Sequence, residues 1–206
     1  MVGQTIAARL VQLGHEVCMG ARSSDNEKAG GFAKQHGPKG TSGTFSDAAK
    51  FGELLLNCTS GGGSLEALTA AGADNLAGKV LIDIANPLDF SKGMPPSLLT
   101  PSTDSLAEQL QRAFPKTHVV KALNTVNAKL MVEPQSLASG NHDTFIAGND
   151  AAAKGRVKEL LQSFGWKHIV DVGDLTGARG LEMYLPLWVR LYGTFQTASF
   201  NLKLVR

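Results

Sequence analysis

Apolar positions in this chain keep two rhythms, one of about 3.6 residues and one of unbroken short runs. Ile6, Ala7, Leu10 and Val11 recur with helical spacing, Gly14 stops them, and Glu16 to Gly20 follows as a short buried strand. The alternation then continues. Asp25 to His36 predicts a helix, Gly37 to Gly43 a glycine-rich connection, and Thr44-Phe45 a weak strand. Glu53 to Thr59 predicts a strong strand, Ser64 to Ala71 a helix, and Lys79 to Ile84 another strand. Leu88 to Pro101 is proline-rich loop, and Ser105 opens a helix with Glu108 three residues on as a capping box. Strands follow at His118–Leu123, Asp143–Gly148 and His168–Gly173. Between the last two lies a helix capped by Asn149 or Asp150, ending near Phe164 and stopped by Gly165. Leu181 to Leu202 reads as a long apolar helix, interrupted or started late by Pro186.

Strands alternating with helices through short connections predict an open, doubly wound parallel α/β sheet. The expectation is a single domain over residues 1–206, with residues 179–206 as a C-terminal helical extension that packs on the domain or on a second subunit.

The opening helix, glycine and strand have the form of the second half of a dinucleotide-binding βαβ unit. In such a unit a strand runs into a G-x-G-x-x-G turn, and the helix after it points its unpaired N–H groups at a pyrophosphate. Gly3 stands where the third glycine would be. The first strand and the first two glycines are absent from the chain, so a strand with Gly-x-Gly is expected upstream of Met1. At the tip of the second strand an acid would hold the ribose of NAD, whereas an arginine suits the 2′-phosphate of NADP. Here the tip is Ala21-Arg22-Ser23, with no acid before Asp25, and the reading is NADP.

Composition narrows the rest. With 43% hydrophobic and 18% charged residues the chain is an ordinary globule. A net charge of +2 with no basic run gives no case for nucleic acid. No apolar run has the length of a membrane span and no signal peptide precedes the first helix, so a cytoplasmic protein is expected. Cys18 and Cys58, the 2 cysteines, read as free thiols in apolar runs. The 5 histidines are scattered, so no metal site is expected.

Ligands of such sheets lie at the carboxyl ends of strands. The tips here are Arg22-Ser23, Thr59-Ser60, Asn86-Pro87 and Asn124-Thr125, all small or polar. They offer little acid–base chemistry: Tyr184 and Tyr192 have no lysine four residues on, and Lys121 and Lys129 read as a strand-end ion pair and a surface charge before they read as acids. No catalytic side chain is assigned. That poverty suits hydride transfer between two flat rings, where the cofactors carry the redox chemistry and the protein aligns them.

Several stretches resemble one family. Val119-Val120-Lys121-Ala122-Leu123-Asn124-Thr125-Val126, Asp83-Ile84-Ala85-Asn86-Pro87-Leu88, Ser105-Leu106-Ala107-Glu108, Asp171 to Leu175 and Ala178 to Glu182 are similar to NADPH-dependent reductases of the deazaflavin coenzyme F-420, a group that includes the NADPH domains of membrane ferric reductases. The resemblance covers nearly the whole chain and implies a Rossmann fold, an NADP cofactor and a flavin or deazaflavin-type acceptor. It places Met1 and Val2 in the phosphate turn and Arg22 and Ser23 at the 2′-phosphate. It places Thr59, Asn86, Pro87, Ala122 and Asn124 near the nicotinamide. Asn57-Cys58-Thr59-Ser60-Gly61 departs from the family's usual apolar-Pro strand end. Two rivals are a β-hydroxyacid or imine reductase, which needs a large helical second domain where only about 30 residues follow Gly173, and a dinucleotide-binding protein without catalysis. The rings of the C-terminal helix, more than one sheet face can cover, predict that it closes the acceptor pocket, partly from a second copy in a homodimer.

Overall fold

The computed structural model describes residues 1–205. Helix α1 (Val2–Gln12) leads into β1 (Val17–Ala21), α2 (Glu27–His36), β2 (Gly40–Thr44), α3 (Phe45–Phe51) and β3 (Leu54–Asn57). After them come α4 (Ser64–Ala71), α5 (Ala73–Leu76) and β4 (Val80–Asp83), then a small hairpin of β5 (Leu88–Asp89) and β6 (Ser97–Leu98). The second half runs α6 (Leu106–Ala113), β7 (His118–Ala122), α7 (Ala128–Val132), β8 (Asp143–Gly148), α8 (Ala151–Ser163) and β9 (His168–Asp171). It closes with α9 (Ala178–Met183) and α10 (Leu185–Phe195).

The main sheet has the order β3-β4-β7-β8-β9, and β1 and β2 form a parallel pair of their own. Successive residues of a strand face opposite sides, and both sides are covered. Val80, Ile82 and Val120 pack with Ile6 and Leu10 of α1 and with Val157 and Leu161 of α8. Leu81 and Val119 pack on the other face with Leu68 of α4 and Leu106 and Leu110 of α6. This is the doubly wound α/β architecture expected, with one departure: β7 and β8 are antiparallel, Val120 opposite Gly148, whereas the other pairs of the main sheet are parallel. Residues 123–142 connect them through short α7 and two tight turns. A parallel return needs a crossover of a dozen residues or more, usually a helix, and α7 with 5 residues is not one.

Three local expectations are corrected. The glycine-rich stretch to Gly43 is not only a connection, because Gly40–Thr44 forms β2 against β1. Its small residues follow from packing: a side chain at Gly40 would lie 2.6 Å from His36 Cβ. Thr44-Phe45 is not a strand of its own. Thr44 ends β2 and caps α3, its Oγ1 accepting from Asp47 N at 3.2 Å while Asp47 Oδ2 accepts from Thr44 N at 2.9 Å. The long C-terminal helix is two helices, parted at Tyr184 ahead of Pro186, and α10 ends where Gln196 turns left-handed at φ 54°. Residues 197–205 beyond it form a strap without helix or strand, in which Leu202 O accepts from Asp143 N at 2.9 Å and Lys203 Nζ stands 3.2 Å from Asp143 Oδ1.

Among the described residues β1 pairs only with β2, and β3 only with β4. Each of the two therefore keeps one edge without a ladder.

Candidate functional site

The carboxyl ends of β1, β3, β4 and β7 carry the predicted tips, and packing draws them into one line. Helix α1 starts at Val2 with Met1 as its cap residue, and its first turn has neither an acidic residue nor a side-chain cap. Its first N–H groups are thus free to meet an anion. Gly3 lies against the end of β3: a Cβ there would be 3.3 Å from Cys58 Cβ. Thr59 Oγ1 donates to Asn57 Oδ1 at 2.7 Å and lies 2.9 Å from Ser64 Oγ, which donates to Ser60 O at 3.1 Å. These bonds fix the turn at Ser60–Gly63. Arg22 leans over it from β1, its guanidinium 3.9 Å from where a Gly63 side chain would begin. Its side chain is 76% exposed and only 3.7 Å from Glu66 Oε1, an exposed pair of little energetic weight. Ser23 beside it is exposed.

The turn presses on the next tip. A Cβ at Gly61 would lie 2.7 Å from Pro87 Cα and closer still to the Asn86 carbonyl. Asn86 then pairs with Asn124 across the sheet: Asn86 Nδ2 donates to Asn124 O at 2.9 Å, and Asn124 Nδ2 donates to Asn86 Oδ1 at 3.0 Å and to Leu181 O at 2.9 Å. Leu123, just before Asn124, has φ 60°, a strained backbone of the kind that gathers at functional sites. Asn124 Oδ1 and Thr125 Oγ1 are buried without a hydrogen-bond partner, as are Tyr184 OH and Trp188 Nε1 on the C-terminal helices. Buried polar atoms without partners are uncommon and call for an explanation.

Met1, Val2 and Gly3 stand at the start of α1, and Arg22, Ser23, Thr59, Ser60, Asn86, Pro87 and Asn124 just past the carboxyl ends of β1, β3, β4 and β7. Ala122 does not reach a surface: it is fully buried in the core packed by α1 and α8. Beneath the tips Lys121 makes the strand-end ion pair expected of it, and sequence reasoning missed its partners. Lys121 Nζ donates to Asp83 Oδ2 at 2.8 Å and to Ala85 O at 2.5 Å, and Glu182 Oε1 is 2.9 Å away, all three side chains buried. Burial alone would lower the Lys121 amine, but Asp83 and Glu182 reverse that and hold it above its ordinary value. Burial lifts the Glu182 carboxyl despite Lys121 beside it. The available signal was a charged residue inside an apolar strand, in Val119-Val120-Lys121-Ala122 and in Leu81-Ile82-Asp83-Ile84.

Acid–base groups are sparse here. Lys121 is sealed from the cleft in its ion pair, and Lys129 is exposed at the surface. Burial pushes the Cys58 thiol up to about 12, so it stays protonated at neutral pH. Burial also raises the Tyr184 hydroxyl, leaving it a donor. Among the described residues no three His, Cys, Asp or Glu side chains gather as metal ligands, and no helix is long and apolar enough to cross a membrane.

An uncapped helix start, a glycine turn and an arginine-bearing strand tip on a doubly wound fold are the parts of a dinucleotide-binding scaffold. Residues 1–87 match the family model of coenzyme F420-dependent NADP oxidoreductases. A crystal structure from Arthrobacter sp. FB24, assigned as an F420-dependent NADP-reductase, is 52% identical at a TM-score of 0.92, covering 100% of this chain and 95% of that one. The F420-dependent NADP reductase of Methanocaldococcus jannaschii is 26% identical over 77% of this chain and 70% of its own length. Metalloreductase STEAP3 of Rattus norvegicus is 30% identical over 90% of this chain, and the chain spans 35% of that protein. The chain belongs to the coenzyme F420-dependent NADP oxidoreductases, and NADP is the dinucleotide of that class.

Proposed function

We propose that the protein transfers hydride between NADPH and a flat flavin-like ring, with a deazaflavin of the coenzyme F420 type as the acceptor. The observation that carries this reading is the Asn86–Asn124 amide pair at the sheet end, with Asn124 Oδ1 and Thr125 Oγ1 buried beside it and unpartnered. Such atoms suit an amide-bearing nicotinamide, and nothing basic or acidic stands among them. In this reading the start of α1 (Met1, Val2, Gly3) takes the pyrophosphate and Arg22 with Ser23 takes the 2′-phosphate. Thr59, Ser60, Asn86, Pro87 and Asn124 line the way to the nicotinamide. NADPH, when bound, supplies the hydride. The chain's own part is to hold the ring flat and to exclude water.

The C-terminal helices fit the acceptor side. Trp188 stacks on Tyr192 with ring centroids 5.7 Å apart, and Phe200 lies 5.3 Å from Trp188. The unpartnered Tyr184 OH and Trp188 Nε1 supply polar contacts for a ring edge. Leu187, Tyr192 and Phe195 are about half exposed, which suits cover by a second copy in a homodimer.

The test is NADPH oxidation by the full natural chain against a panel of flavins and deazaflavin, with NADPH and NADH titrations alongside. Turnover with the deazaflavin is expected, with NADPH bound at least about tenfold more tightly than NADH, ~1.4 kcal/mol. Arg22→Ala should erase most of that preference. Binding of NADPH without oxidation by any acceptor would sink the enzymatic reading, and equal affinity for both dinucleotides would sink the role of Arg22.

A further inference from the structure

Beneath the tips, the buried groups form one connected hub. Lys121 sits on β7, three residues before Asn124, and its ammonium holds Ala85 O, the carbonyl directly before Asn86. Asp83 on β4 accepts from Lys121 and, through Oδ1, from Asn57 Nδ2 at 2.8 Å and Ala85 N at 3.3 Å. Asn57 in turn holds Thr59 at the end of β3. Glu182 on α9 completes the set: besides Lys121 it accepts from Leu106 N at 2.8 Å and Ala107 N at 3.3 Å, at the start of α6. Three strand ends and the C-terminal segment therefore share one buried ionic centre. Arg22 and Ser23 lie outside it, at the end of β1 in the separate β1-β2 pair.

We infer that Lys121, Asp83 and Glu182 are positioning residues for the nicotinamide end of the cleft, and that they set where Asn86 and Asn124 stand without touching the cofactor. The geometry gives this its reach. The ammonium ties the residue before Asn86 to the strand that carries Asn124, so its loss frees the two amides to move relative to one another. A misplacement of about 1 Å at a reacting ring is enough to cost catalysis a hundredfold. Glu182 adds a link in the opposite direction, because the segment that places Tyr184 and Trp188 begins at the same ammonium. The inference rests on the NADPH reading above.

The experiment uses the full natural chain and two probes, NADPH and 2′,5′-ADP, which carries the adenosine 2′-phosphate but no nicotinamide. Titration calorimetry and melting curves are measured for wild type, Lys121→Met and Glu182→Gln, the second of which keeps an oxygen for Leu106 N–H. Both variants are expected to bind NADPH at least about tenfold more weakly, with 2′,5′-ADP affinity held within about twofold of wild type. Hydride transfer should fall in kcat more than it rises in KM. A merely structural role would move both probes together or neither, and either result overturns the inference. So does failure of both variants to fold. If wild type itself binds neither probe, it is the NADPH reading that fails.

Discussion

Gly61→Ala is expected to weaken NADPH binding at least about a hundredfold, ~2.7 kcal/mol, and to lower stability by roughly 1–3 kcal/mol. The reason is where the missing methyl would go. It would meet the backbone of Asn86 and Pro87, with Pro87 Cα at 2.7 Å, and neither is a flexible side-chain end that can step aside. The turn after β3 and the tip of β4 must then part. Asn86 moves with that tip, and so does its amide pair with Asn124. Gly62→Ala is the matched control. Its methyl would meet only Leu99 Cδ1 at 3.3 Å, the free end of a side chain, so NADPH affinity should stay within about threefold. Titration of both variants decides the matter. Wild-type affinity in Gly61→Ala would mean that the two tips are not mechanically joined.

The second large effect concerns the strands that lack a ladder. A form of the protein carrying an apolar strand of about five residues and a Gly-x-Gly turn ahead of Met1 should bind NADPH at least about a hundredfold more tightly than a form starting at Met1. β1 and β3 each have one edge without a strand partner among the described residues, and an unpaired buried N–H or C=O costs about 1–3 kcal/mol. A parallel strand running into α1 would satisfy both edges and would bring two further glycine N–H groups to the pyrophosphate. Its melting temperature should rise by at least about 5 °C, since a chain of this size gains roughly 2–4 °C per kcal/mol. Equal affinity and equal melting temperature in the two forms would show that the two edges are already satisfied.

Much of this architecture could be read from residues with a local mechanism. Ser105 and Glu108 marked the start of α6, and the structure has Glu108 N donating to Ser105 Oγ at 3.1 Å. Asp150 caps α8 through Ala153 N at 2.7 Å. The positions of Arg22, Asn86 and Asn124 past strand ends were legible because apolar runs give way there to small or polar residues. Features set by distant partners were not legible. β2 has no apolar signal because helices press on it, and the reversal of β8 depends on packing that no period reports. Pro186 announced a break near Tyr184, but nothing local announced that α10 would end at Gln196 and give way to a strap on Asp143. The Lys121 hub joins residues 38 and 61 positions apart in the chain, and only the fold brings them together.

That hub also constrains how the sequence can change over time. Removing Lys121 alone leaves two buried carboxylates without their cation, at a cost of about 3–5 kcal/mol, against a total stability of roughly 5–15 kcal/mol for a typical domain. An apolar replacement of the whole set can be neutral, so the barrier lies in the intermediates and not in the destination. Lys121, Asp83 and Glu182 are therefore expected to be inherited as a block, each holding the others in place across descent.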